Sequence, residues 1–193
     1  MMLGFGTSRR SRLLLGLLSI LVSGQASLMV LSNSAQAVYP NPVCMNQKAL
    51  LPVNNAQVLQ WKQTSLNQFH ARAHVFGKVS KIYGIQGGDH YHFQIQIGSA
   101  PKDLIEVVYS RNFGTPEVAL GAEAQVCGDY ITSNAPAGGF PVSPDGALIH
   151  WVHENERGGG HENGFVILND TLWGGKAPVP LNPKDEIPNP PFL

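Results

Sequence analysis

Charge is scarce in this sequence. Asp, Glu, Lys and Arg make up 13% of the 193 residues, thirteen acids against thirteen bases. A domain that lives by neutralising phosphates carries a clear basic excess, so non-specific nucleic-acid binding is disfavoured. Cysteine is scarcer still. Cys44 and Cys127 are the whole supply, too few for a cysteine-built zinc cluster or a disulfide-dense scaffold. Catalytic signatures are missing as well. The chain has no Gly-x-Ser-x-Gly elbow, no phosphate-binding P-loop, no dinucleotide fingerprint and no internal repeat. Nor does any apolar run reach the roughly 20 residues that a spanning helix needs. Leu13 to Val22 is broken by Gly16 and Ser19, and Gly24, Gln25, Ser27, Ser32, Asn33 and Ser34 interrupt the stretch after Val22.

The first 37 residues do contain an export signal. Arg9, Arg10 and Arg12 form a positive start, the Leu-rich run comes next, and Ala35-Gln36-Ala37 offers a small-x-small cleavage site. Removing residues 1–37 takes away three Arg and no acid. Ten Lys plus Arg then face thirteen Asp plus Glu, a formal charge of −3. The expected location is periplasmic or secreted, with no membrane span after cleavage. Both cysteines lie in the exported part, and an even count in an oxidising compartment predicts one Cys44–Cys127 disulfide.

Residues 38–54 are irregular and punctuated by Pro40, Pro42 and Pro52. Val58, Leu59, Trp61, Leu66 and Phe69 then recur at helical spacing, which predicts a short helix over about 55–68 that Asn54 or Asn55 caps. Trp61 reads as a packing residue. The period changes to two at Ala71, Ala73 and Val75, a first strand bent at Gly77, with a turn at Gly84, Gly87, Gly88 and Asp89. His90 to Gly98 is the clearest strand. Tyr91, Phe93, Ile95 and Ile97 share one face and His90, His92, Gln94 and Gln96 the other. Further strands are expected at 104–110, 120–130, 147–153 and 165–168. Asn134 to Gly146 reads as a loop. The tail from Lys176, with Pro178, Pro180, Pro183, Pro188, Pro190 and Pro191, reads as extended and unable to form a ladder. The predicted class is all-β: a small five- to six-stranded OB-like barrel over residues 55–175, preceded by one short helix, with 176–193 as a proline-rich tail. A small sandwich or open meander is the competing architecture.

The chemistry concentrates in histidine. His150, His153 and His161 fall between Gly146 and Phe165, and His90 and His92 leave one face of one strand. Neutral imidazole is a common ligand for zinc and related ions, so His150, His153 and His161 form a candidate metal set. On a regular strand His150 and His153 point to opposite faces, and they share an ion only where the strand ends or bulges between them. Gly158 to Gly160 let the chain turn His161 back toward them. Arg157 beside that glycine run suggests an anion nest. Trp151 reads as a structural ring.

This segment resembles the domain-of-unknown-function 3465 family of short exported bacterial proteins, in which His-Trp-Thr-His is followed by Arg-His and then Gly-Trp. The matching residues here are His150-Trp151-Val152-His153, Gly160-His161 and Gly164-Phe165, with His90 and Phe93 matching an earlier pair. Val152, Gly160 and Phe165 depart from that pattern, so any anion role passes to Arg157. The resemblance implies an exported β-domain and no particular activity.

These residues are compatible with three functions. The first is a binding module for a small ligand or polymer, whose face is His90, His92, His150, Trp151, His153, Arg157 and His161. The second is a hydrolase of phosphodiesterase type, using a divalent metal such as zinc with Glu154 or Glu162 as base. The third is a structural envelope domain that binds through its proline tail. The export reading makes a direct prediction: mass spectrometry of the exported product finds Val38 as its first residue, and a product that still begins at Met1 overturns it.

Overall fold

Strand β3, His70–Gln86, is 17 residues long and serves two partners in succession. Its first half, through Lys78, pairs antiparallel with β6 (Glu123–Thr132). From Lys78 onward it pairs antiparallel with β4 (His90–Gln96). The computed structural model describes residues 42–181. The expected export signal with its cleavage site, and the prolines from Pro183 onward, lie outside the described residues.

The remaining elements come in order. Met45–Asn46 (β1) and Ala49–Leu50 (β2) form a small hairpin. Helix α1 spans Asn55–Thr64 and precedes β3. After β4 come β5 (Leu104–Ser110) and a single 3-10 turn, Arg111–Phe113. After β6 come β7 (Ala147–His150), β8 (Phe165–Leu168), β9 (Thr171–Trp173) and β10 (Val179–Pro180). The fold is therefore mostly β-sheet with one short helix. Pairing runs β6–β3–β4–β5–β7 and returns from β7 to β6, a partial ring in which β5–β7 is the parallel step. β8, β9 and β10 extend the sheet from β6.

The alternation expected of half-buried strands holds inside the ring. Phe93, Ile95, Ile105, Val107, Tyr109, Val126, Tyr130 and Ile149 are fully buried there. Helix α1 adds Val58 to this core, and Trp61 packs at 5.5 Å from Tyr130 and 5.9 Å from Phe69.

The helix is shorter than its periodicity implies. It stops at Thr64 because Ser65 is extended, and Leu66 is left 85% exposed. Asn54 does not cap it through its side chain. Its Oδ1 instead accepts the His74 backbone N–H, and Asn55 clamps Phe76 and Ile97. Gly84 belongs to β3, beside a register shift, and not to the turn. The proline tail does form a ladder where it begins. Val179 and Pro180 pair with Leu172 and Thr171 at the sheet edge, where a missing N–H is tolerated. β9 was not legible in the sequence, since three residues are too few to show a period.

The outer face of β3 and β6 is polar yet buried. Arg72, His74, Gln125 and Cys127 are under 9% exposed, covered by residues 42–52. The Cys44–Cys127 disulfide fastens that cover, with Cα atoms 5.6 Å apart across 83 residues of sequence. Closing so long a loop stabilises by about 4 kcal/mol in the chain-entropy model. Urea unfolding with and without a reducing agent, and of Cys44→Ser/Cys127→Ser, should show a loss of about 2–5 kcal/mol. An unchanged midpoint would mean that hydrogen bonds alone hold the cover in place.

Candidate functional site

Three chain segments end at the same edge of the ring. β4 begins there with His90, which sits in register with Ser110 at the end of β5. β7 runs parallel to β5 and ends there at His150. The chain then leaves the sheet, because Trp151 takes φ 50°, a conformation that strains a bulky side chain. Val152 turns inward and is fully buried, while His153 returns to the surface side.

This short stretch is gripped by glycines. A Cβ on Gly128 would meet the His150 carbonyl oxygen at 2.5 Å, and one on Gly164 would meet the Trp151 carbonyl oxygen at 2.2 Å. Backbone contact of that closeness admits only glycine. The loop beyond is braced from within. Gly164 N–H donates to the His153 carbonyl, and Asn155 bonds Gly159, His161 and Asn163. At its far end Arg72, itself buried, donates to the Asn163 carbonyl and pairs with Asp129 at 2.7 Å.

The result is a run of rings. His90 and His150 lie 5.4 Å apart between centroids, and His150 lies 4.7 Å from Trp151. Trp151 stacks on His161 at 5.8 Å, His161 meets His153 edge-on at 5.0 Å, and His153 stacks on Phe113 at 4.2 Å. His92 stands behind this run and is bonded through Nδ1 to the buried Glu106 carboxylate at 2.6 Å.

Hydrogen bonding sets the tautomers. His153 Nδ1 faces the Glu154 carbonyl at 2.7 Å and His161 Nδ1 faces the Glu162 carbonyl at 2.8 Å. A carbonyl only accepts, so each Nδ1 carries a proton, and in the neutral ring it is Nε2 that has the lone pair. His92 is held the same way by Glu106. His90 has one long contact, 3.5 Å to the Gly87 carbonyl. The His150 ring has no hydrogen-bond partner among the described residues. Burial first, and then the neighbouring His90, His153, His92 and His161, push the His150 pKa down to about 4. Burial lowers His153 as well. These two rings are therefore neutral near pH 7.

The remaining expected site residues lie elsewhere. Arg157 is exposed at the loop tip, with no ion pair among the described residues. Glu154 is exposed, and Glu162 turns away to accept the Gln47 N–H at 2.6 Å. Neither carboxylate is shown bonded to the rings. Among the described residues no group of three or more His, Cys, Asp or Glu is placed to hold a metal ion. Two members of the site were missed in the sequence. Glu106 left a signal, a lone acid between Ile105 and Val107 in an apolar strand. Phe113 left none.

Comparison of the chain with family models, with curated proteins and with solved structures finds no match in any of the three. Among the described residues no helix is long and apolar enough to cross a membrane.

The low pKa of His150 has a consequence for stability. The unfolded chain titrates near the ordinary value of 6.5, and the folded one near 4. Unfolded protein thus binds this proton first, so stability is intact above pH 6.5 and falls as pH drops through 4. His150 alone contributes up to about 3 kcal/mol to that loss. Denaturation at pH 7.5 and pH 4.5 should show His150→Gln losing markedly less stability on acidification than the parent. Equal losses would place the acid sensitivity elsewhere.

Proposed function

We propose that the chain is an exported binding module of OB-like type, related to the 3465 family, whose ligand face is the rim of His90, His92, His150, Trp151, His153 and His161. One observation carries the reading: the linked rings at one edge, where the Nε2 atoms of His153 and His161 have no protein partner among the described residues. A site built this way supplies flat apolar surface and unsatisfied acceptors together, which is what a binding face needs. The strand pairing supports the barrel reading, because five strands succeed one another around β6 and only one adjacent pair is parallel. A cross-linked cysteine pair supports an oxidising compartment. The weak negative charge of the cleaved chain argues against phosphate polymers. Arg157, exposed at the loop tip, stands at the margin of this face.

A second reading, a hydrolase of phosphodiesterase type, draws on His92 and Glu106. A buried carboxylate fixing Nδ1–H leaves Nε2 oriented as a general base. No activated nucleophile accompanies it in the sequence, so binding is the better reading.

Screening a library of small neutral aromatic and amide fragments by proton–nitrogen correlation NMR tests the proposal. Fragments should shift the amides of residues 150–153 and 161, and Trp151→Ala should abolish those shifts. Hits confined to the separate cleft that Leu59, Lys62, Lys102, Leu104 and Asp145 line, or no hits at all, would overturn it. Turnover of bis(p-nitrophenyl) phosphate that disappears in His92→Gln would replace it with the hydrolase reading.

A further inference from the structure

The rim also carries a feature that metal-bound histidines share. Metal-bound imidazoles almost always donate their second ring N–H to a carbonyl or carboxylate, which fixes the tautomer and aims the free nitrogen at the ion. His153 and His161 are already held so, at 2.7 and 2.8 Å to the backbone carbonyls of the residues after them. Both carbonyls belong to the loop that Asn155 and Gly164 brace, so the two rings are oriented by backbone rather than by mobile side chains. Their centroids are 5.0 Å apart and their planes 82° apart. Two imidazoles bound to one ion at about 2.0–2.1 Å each have centroids at about that spacing.

We infer that the rim takes up a divalent transition-metal ion of the zinc class, with His153 and His161 as fixed donors and His150 turning to become the third. This rests on reading the rim as the binding face. His150 is the member whose ring no hydrogen bond fixes among the described residues; it packs between His90 and Trp151. Among the described residues no three ligands converge in the structure as it stands, so ion capture requires the turn of His150. Water or a ligand's own donor atom fills the fourth position. Nitrogen ligands favour zinc, copper and nickel over calcium and magnesium, which want oxygen. The rings stack along Trp151, so uptake of the ion reorders the surface that a second, organic ligand would meet.

Isothermal titration of the tag-free, disulfide-bonded protein with zinc chloride should give one ion per chain. His153→Gln and His161→Gln should each weaken binding at least tenfold, and His150→Gln about tenfold. His70→Gln, which alters an exposed histidine outside the rim, should leave it unchanged. Nitrogen NMR of the imidazoles should show the Nε2 signals of His153 and His161 moving on zinc addition, a readout independent of stability. Equal affinity for magnesium, or zinc binding that survives His153→Gln/His161→Gln, would overturn the inference. So would failure to bind zinc while aromatic fragments still shift the rim. In that case the binding reading stands and the ion is wrong.

Discussion

One strand edge decides where everything else can go. Along its full length β6 pairs with β3 on one side. Its other side is divided: Asp129 to Thr132 pair with β7, and Ala124 to Cys127 pair with β8. Gly128 marks the seam. The chain must leave the sheet after His150 and return at Phe165, and the 14 residues between them form the loop that carries Trp151, His153 and His161. Gly128 and Gly164 let the backbone of that loop press onto β6 with carbonyl contacts no side chain would permit. A site made of loop residues is usually mobile. This one starts on β7 and finishes on β8, both paired to the same edge of β6, so it is packed at both ends and its rings inherit the rigidity of the sheet.

The far side of β6 is held by a different device. Arg72 is buried on β3 and uses its guanidinium in several directions at once. It donates to the Met45 and Asn163 carbonyls, to the Asp129 carboxylate and to the Cys127 sulfur. A planar fork can satisfy so many partners where a lysine cannot. The N-terminal cover and the far end of the histidine loop therefore share one cation. Buried ion pairs add little net stability against apolar replacements, but removing one partner strands the other. Arg72 thus matters more for fixing the relation of these segments than for free energy. Gln125 Oε1 remains buried without a hydrogen-bond partner, at a cost of roughly 1–3 kcal/mol, whereas Glu162 Oε2, which also makes no hydrogen bond, lies 3.9 Å from Arg72 Nε.

At the rim the electrostatics run opposite to those around Arg72. Several imidazoles crowd together, and only His92 is shown with a carboxylate partner. Desolvation and mutual repulsion both oppose protonation of His150. With His150 and His153 held neutral, their ring nitrogens beside the indole keep lone pairs available. Tyr83, Gln94 and Asp145 form a network on the same face of β4 as His92, already satisfied among themselves.

The sequence by itself determined the local elements whose signal is periodic. His90 to Gly98 and Leu104 to Ser110 announce strands by alternation or by dense β-branched residues, and Phe165 to Leu168 does so by an apolar run between polar turns. The same logic yields the disulfide, since two cysteines admit one pairing. It did not determine where the helix stops, because Leu66 matches a helical period that Ser65 has already ended. It held no hint that Asn54 would serve β3 instead of capping. Only the tertiary structure decided which side chains meet. The divided edge of β6, the reversal at Trp151 and the approach of Phe113 to His153 each join residues far apart in the chain. Spacing along a sequence reports which face of an element a residue occupies. It carries no information on which other element that face will be folded against, and that second question sets the geometry of the rim.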